Sequence, residues 1–180
     1  MPTCADARPG SCACCGAAAR PIGGRLVIVG HGLIERQLLG PATATGAPER
    51  GLVTLRRYRC RACTAILVVG PRGLVARRWY GGGAIALAFA AFSRGETSAA
   101  VRTRTSPTRI VGGSATERWI TVERWIEAAR RGDLLGVAGL ETLERRDVAE
   151  HVVLALAARA GWMLGADLAE SAFDGAALAA

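Results

Sequence analysis

Five cysteines stand in two short runs, Cys12-Ala13-Cys14-Cys15-Gly16 and Cys60-Arg61-Ala62-Cys63-Thr64, and each run holds a C-x-x-C pair. A C-x-x-C turn offers two thiolates from one tight loop. Two such turns supply the four soft ligands that a tetrahedral zinc takes, each about 2.3 Å from the ion. The set Cys12, Cys15, Cys60 and Cys63 is therefore read as a zinc site. All four ligands come from the chain, so the site is closed, whereas a catalytic zinc keeps one position open. The metal is expected to be a staple on which a small fold depends. A redox pair would need a βαβ pattern around it, and none is present. Cys14 is a spare thiol able to replace Cys12 or Cys15. Cys4 is a free thiol in the N-terminal tail, and His31 is a loop histidine rather than a ligand. Gly16 follows the second ligand of its turn, where a positive φ is often needed and glycine adopts it freely. Thr64 holds the same place in the other turn, where a β-branched residue would be strained.

The 44 residues between Cys15 and Cys60 contain the strands that could join the two turns. Leu26 to Val29 reads as a short strand, Gly30-His31-Gly32 as a break or bend, and Leu33 to Leu39 as a second strand. Gly40 to Gly51, with Pro41, Gly46 and Pro48, reads as a loop. Leu52 to Tyr58 and Ala65 to Val69 are further strands. Past Arg72 the pattern turns helical: Tyr80 to Phe92, then Ser98 to Thr105 capped by Thr97, then a helix reaching Arg131. Ser114-Ala115-Thr116-Glu117 matches a capping box at the start of that third helix. Trp119, Val122, Ile126 and Ala129 give it one apolar face. Arg146 to Ala160 is the clearest of the later helices.

The expected fold is α+β: a small N-terminal β zinc ribbon, an all-α helix-turn-helix-like region, and C-terminal helices. The expected divisions are a tail at 1–10, the ribbon at 11–70, the helix-turn-helix-like region at 71–132 and an acidic helical tail at 133–180. That tail is expected to serve oligomerisation as a homodimer.

The net charge is +8, the pI about 10.1, and all 23 basic residues are arginines. Residues 1–131 carry 20 Arg and 7 acids, and residues 132–180 carry 3 Arg and 8 acids. A basic front suits a polyanion, and arginine forks bind phosphates and guanine edges bidentately. The longest apolar run, Ala84 to Phe92, is too short to span a bilayer. No secretory leader is visible, so a cytoplasmic protein with no membrane role is expected.

The strings Cys12-x-x-Cys15-Gly16, His31-Gly32-Leu33-Ile34-Glu35-Arg36 and Arg57-Tyr58-Arg59-Cys60-Arg61-Ala62-Cys63 together resemble the zinc-ribbon opening of bacterial insertion-element proteins. These are transposase-like or transposon-associated proteins in which a ribbon precedes a helix-turn-helix. The resemblance spans roughly residues 11–131. Thr64, the loop at 40–51 and the C-terminal part depart from the family pattern. The resemblance implies binding of double-stranded DNA in the setting of transposition.

The expected DNA contacts are Arg56, Arg57, Arg59 and Arg61 on the ribbon, Arg77 and Arg78 behind it, and Arg102, Arg104, Arg109, Arg118 and Arg124 on or beside the helices. A later helix of such a unit enters the major groove. Trp119 and Trp125 are read as core. A transposase nuclease needs carboxylates that hold two metal ions. The late acids, from Asp133 to Asp174, read instead as solvated helix faces, and neither histidine sits in a nucleophile motif, so no enzyme activity is expected. The competing readings are a ribbon that docks a protein partner, or a degenerate transposase fragment with no DNA role.

Overall fold

The computed structural model describes residues 7–108, 118–163 and 165–178. Three strands come first: β1 (Ile28–Pro41), β2 (Pro48–Cys60) and β3 (Ile66–Val69), in the sheet order β1-β2-β3. Among the described residues five helices follow: α1 (Gly82–Ser93), α2 (Ser98–Thr105), α3 (Ile120–Arg130), α4 (Arg145–Arg159) and α5 (Leu168–Leu178). The class is α+β, with the strands ahead of the helices.

The expected break in the first strand does not occur. Residues 28–41 form one strand, and Gly32 absorbs the irregularity with a φ of 95°. A glycine tolerates this without a steric penalty, so the strand runs on through it. The loop expected at 40–51 shrinks to 42–47, because Pro41 closes β1 and Pro48 opens β2. Proline is accepted at strand ends, where no ladder bond is lost.

The chain divides into two compact units. One comprises Met1–Gln37 with Leu52–Pro71. The other comprises Leu38–Gly51 with Arg72–Ala180. The far end of the β1–β2 hairpin thus belongs with the helices. Gly40 lies against α1 so closely that a Cβ there would overlap the Cβ of Ala84.

The helical unit is organised around α1, whose sequence GGAIALAFAAFS is apolar on nearly every side. Such a helix is stable only when surrounded. Ile85 and Phe89 are fully buried, together with Val101 of α2, Val122 and Ile126 of α3, Val148, Val152 and Leu156 of α4, and Ala172 of α5. The apolar stripe of α4 therefore enters the same core as α1, within the chain. Gly95, at φ 94°, ends α1, and the amide of Glu96 returns to Ala91 O at 3.2 Å. Thr97 caps α2 by accepting the Ala100 amide at 3.3 Å, as its position suggests. The third helix begins at Ile120, later than the sequence pattern implies, and the Ser114–Glu117 box lies outside the described residues. Trp119 and Trp125 are buried, and their rings meet edge-on at 5.2 Å, each also touching Tyr80. They are core residues.

Candidate metal centre

The two cysteine turns have the same backbone. In the first, the amide of Gly16 donates to Cys12 O at 2.8 Å, and that of Cys12 to Ala17 O at 2.9 Å. In the second, Thr64 donates to Cys60 O at 2.9 Å, and Cys60 to Ala65 O at 2.9 Å. Gly16 has φ 71° and Thr64 φ 64°. The threonine accepts the left-handed conformation that glycine takes freely, which costs of order 1–3 kcal/mol for a non-glycine residue. The second turn joins β2 to β3, and the amide of Arg61 donates to Val27 O at 2.9 Å beside the start of β1. Tyr58, Ile28 and Ala19 are buried beneath the turns with Cys12 and Cys60.

The Sγ atoms of Cys12, Cys15, Cys60 and Cys63 all lie within 4.8 Å of one another. Cys12 Sγ is 3.6 Å from Cys63 Sγ, and Cys15 Sγ is 3.8 Å from Cys60 Sγ. A tetrahedron with bonds of about 2.3 Å has edges of about 3.8 Å, so one ion fits among these atoms. The cluster takes two sulfurs from each turn, so neither turn alone completes it. Cys14 is exposed and outside the cluster, and so is His31; Cys4 lies outside the described residues.

Four thiols this close cannot all ionise without a cation. Cys12 is drawn down to about 7 by amide hydrogen bonds from Cys15 and Cys14. The Ala65 amide also favours the Cys63 thiolate, but the neighbouring Cys15, burial, Cys12 and Cys60 outweigh it and push Cys63 up to about 12. Cys15 is likewise raised: its largest single influence, the Ala17 amide, lowers it, yet burial with Cys12 and Cys60 prevails. A bound cation inverts this logic by stabilising every thiolate.

The arginines expected to meet DNA divide between the two units. On β2, Arg57 pairs with Val68 and Arg59 with Ile66 across to β3, so both arginines share the face opposite buried Tyr58. Arg59 is exposed and Arg57 half-buried; a Cβ at Gly32 would sit 3.7 Å from Arg57 Nη2. Arg61 is exposed in the second turn, while Arg56 shares the inner face with Tyr58 and is half-buried. In the helical unit Arg77 is exposed and Arg78 half-buried, ahead of α1. Arg104 pairs with Glu96 at 3.0 Å, and Arg102 is half-buried on α2. Arg118 precedes α3 rather than lying on it, and it grips Glu123 through two hydrogen bonds of 2.7 and 2.6 Å. Arg124 is exposed on α3, and Arg109 lies outside the described residues. The late acids Asp133, Glu141, Glu144, Asp147, Glu150, Asp167, Glu170 and Asp174 are all exposed, but Asp133, Glu141, Glu144 and Asp167 stand outside the helices expected to carry them. Among the described residues, no helix is long and apolar enough to cross a membrane.

Spacing of the cysteines does not reveal how alike the two turns are. The signal for that likeness is Ala17 and Ala65, each five residues after the first ligand of its turn and each accepting that ligand's amide proton. The fold and site together define a class: an α+β chain with a four-cysteine, metal-competent cluster at one end of its sheet. No known family, curated protein or solved structure matches the chain.

Proposed function

We propose that this protein is a non-catalytic, zinc-dependent DNA-binding protein whose metal-bearing unit grips the phosphates of a duplex. The observation that carries the reading is where the charge lies. The unit formed by residues 1–37 and 52–71 contains eight arginines and two acids, whereas the larger unit contains fifteen arginines and thirteen acids. Most of the net charge therefore accompanies the cysteine cluster. Exposed Arg59 and Arg61, with half-buried Arg57 on the same face, carry it on one strand and the adjoining turn. Clustered guanidinium groups release counterions from a nucleic-acid backbone, and that supplies affinity without sequence choice.

The helical arginines are weaker candidates, because Arg104 and Arg118 already neutralise carboxylates. Stacking on bases has no platform in the basic unit: its one aromatic residue, Tyr58, is fully buried. That favours a duplex over a single strand bound by stacking. In this reading zinc has no chemical step. Cys12, Cys15, Cys60 and Cys63 hold it, and it draws the two turns together so that β2 presents its arginines from a fixed sheet. Descent from the opening part of an insertion-element transposase accords with this role.

The test couples metal analysis with DNA titration. Purified protein is expected to carry one zinc per chain, and Cys60→Ser to lose both the metal and the folded sheet. A tetrathiolate site also accepts iron, so the element itself must be measured. Duplex affinity is expected at low salt and should fall as salt rises. Absence of duplex binding at low salt refutes the reading.

A further inference from the structure

The third strand carries a feature that DNA binding does not use. β3 is one of the two edges of the sheet, and its four residues, Ile66-Leu67-Val68-Val69, have no charge and no proline. Natural edge strands usually carry such residues, because an open edge recruits other strands. The hydrogen-bond parity of this edge follows from one bond. Cys60 donates to Ala65 O, so Cys60 and Ala65 form a hydrogen-bonded pair at the turn. The register Arg59↔Ile66, Tyr58↔Leu67, Arg57↔Val68, Arg56↔Val69 then alternates from there. Leu67 and Val69 bond to β2, while the amides and carbonyls of Ile66 and Val68 point away from it. Among the described residues no backbone partner meets them on that side. The side chains of Ile66 and Val68 are 45% and 55% exposed, on the same face as Arg59 and Arg57.

We propose that the β3 edge is a docking site for an extended acidic peptide, which adds as a fourth strand beside Ile66 and Val68. A strand so placed offers alternate residues to the two faces of the sheet. Those opposite Ile66 and Val68 emerge on the arginine face, roughly 10 Å from Arg59 and Arg57 across two strand spacings. An extended arginine and a glutamate side chain together span that gap, Arg59 from its exposed position and Arg57 by turning from its place beside Gly32 of β1. The intervening residues lie on the face of half-buried Leu67 and Val69 and so are apolar. The ligand is thus a segment alternating Glu or Asp with Val or Ile. Backbone bonds hold it to the edge, and its acids meet the arginines. A second copy of this chain fits less well, because β3 brings no acid to the arginines and the unit that bears it is strongly basic. The inference needs only the folded sheet and does not depend on DNA binding.

The test uses the full-length, metal-loaded protein and a fluorescent, end-blocked octapeptide alternating Glu and Val, with a Lys/Val peptide as control. Saturable binding of the Glu peptide, at least tenfold tighter than the Lys peptide, is expected. Val68→Pro removes an outward amide and no ladder bond, so it should weaken binding at least tenfold with metal content unchanged. Val68→Glu keeps the amide but puts a carboxylate beside Arg57, and the same loss is expected; it serves if the proline variant fails to fold. Equal binding of both peptides, or no binding, overturns the proposal. So does a dimer of the protein alone that Val68→Pro converts to monomer, since a second copy would then occupy the edge. Failure of the wild type to bind duplex DNA would count against the DNA reading and leave this result standing.

Discussion

Thr64 shows at the level of one residue what the cysteine turns demand of their backbone. The turn geometry requires positive φ after the second ligand, and the chain meets it once with Gly16 and once with a β-branched residue. Relief of that strain exceeds the extra chain entropy glycine loses on folding, which is about 0.5–1 kcal/mol. Thr64→Gly is therefore expected to stabilise the metal-loaded protein by about 1 kcal/mol. Thermal melts at fixed zinc concentration would read this, and a lower melting temperature would show that the threonine makes a compensating contact. Gly16→Val is the converse change and is expected to weaken zinc retention in competition with a chelator. Cys14 marks the limit of spacing arguments at this scale. By sequence it competes with its neighbours, yet the turn leaves it exposed and outside the cluster.

Among the elements, the closest fit is between α4 and α5. A Cβ on Gly175 would overlap the backbone carbonyl of Leu156, so α5 reaches its position only because residue 175 has no side chain. Alanine is the better helix former by about 1 kcal/mol. Overpacking costs about 1–3 kcal/mol and should prevail. Gly175→Ala is expected to lower stability in urea titrations despite its higher helix propensity. The start of α3 offers a pH test. Arg118 holds the Glu123 carboxyl below its ordinary 4.5 by hydrogen bonding and charge, with Arg145 adding to it from 3.7 Å. A carboxyl lowered in the folded state contributes stability that is complete above about pH 4.5 and is lost as pH falls through its folded value. Arg118 is largely exposed, so solvent screening keeps this contribution small. Arg118→Ala should lower stability slightly at pH 7 and converge with the wild type near pH 2. Equal stabilities at both pH values would show that the pair carries nothing.

For the whole molecule the decisive quantity is the uneven charge. Removing one phosphate-binding arginine lowers the slope of log affinity against log salt by about one. Replacing Arg57 and Arg59 together by Ala is expected to lower that slope by about two. Replacing Arg104 and Arg118 together should leave it nearly unchanged, because both already face carboxylates. Titrations of one duplex at several salt concentrations would separate these outcomes. An equal drop in both variants would mean that the helical unit shares the DNA and that the cysteine-bearing unit is not the main binding surface.

Residue type and spacing alone determined the four clustered cysteines, the α+β order, the Thr97 cap and the buried tryptophans. Each of these rests on local chemistry: thiolate spacing, a free amide at a helix start, or apolar periodicity. Other features needed the folded chain. Gly30-His31-Gly32 reads as a break or bend because glycine is weak in isolation, and pairing along β2 decides for one continuous strand. The loop at 40–51 shortened for the same reason. Arg118 and Arg104 look like free cations in the sequence, and only tertiary contact shows the carboxylates they neutralise. The grouping of net charge with the cysteine cluster also required the fold, since residues 38–51 belong to the helical unit. The open edge at Ile66 and Val68 is likewise invisible in sequence, because hydrogen-bond parity exists only once a partner strand sets it.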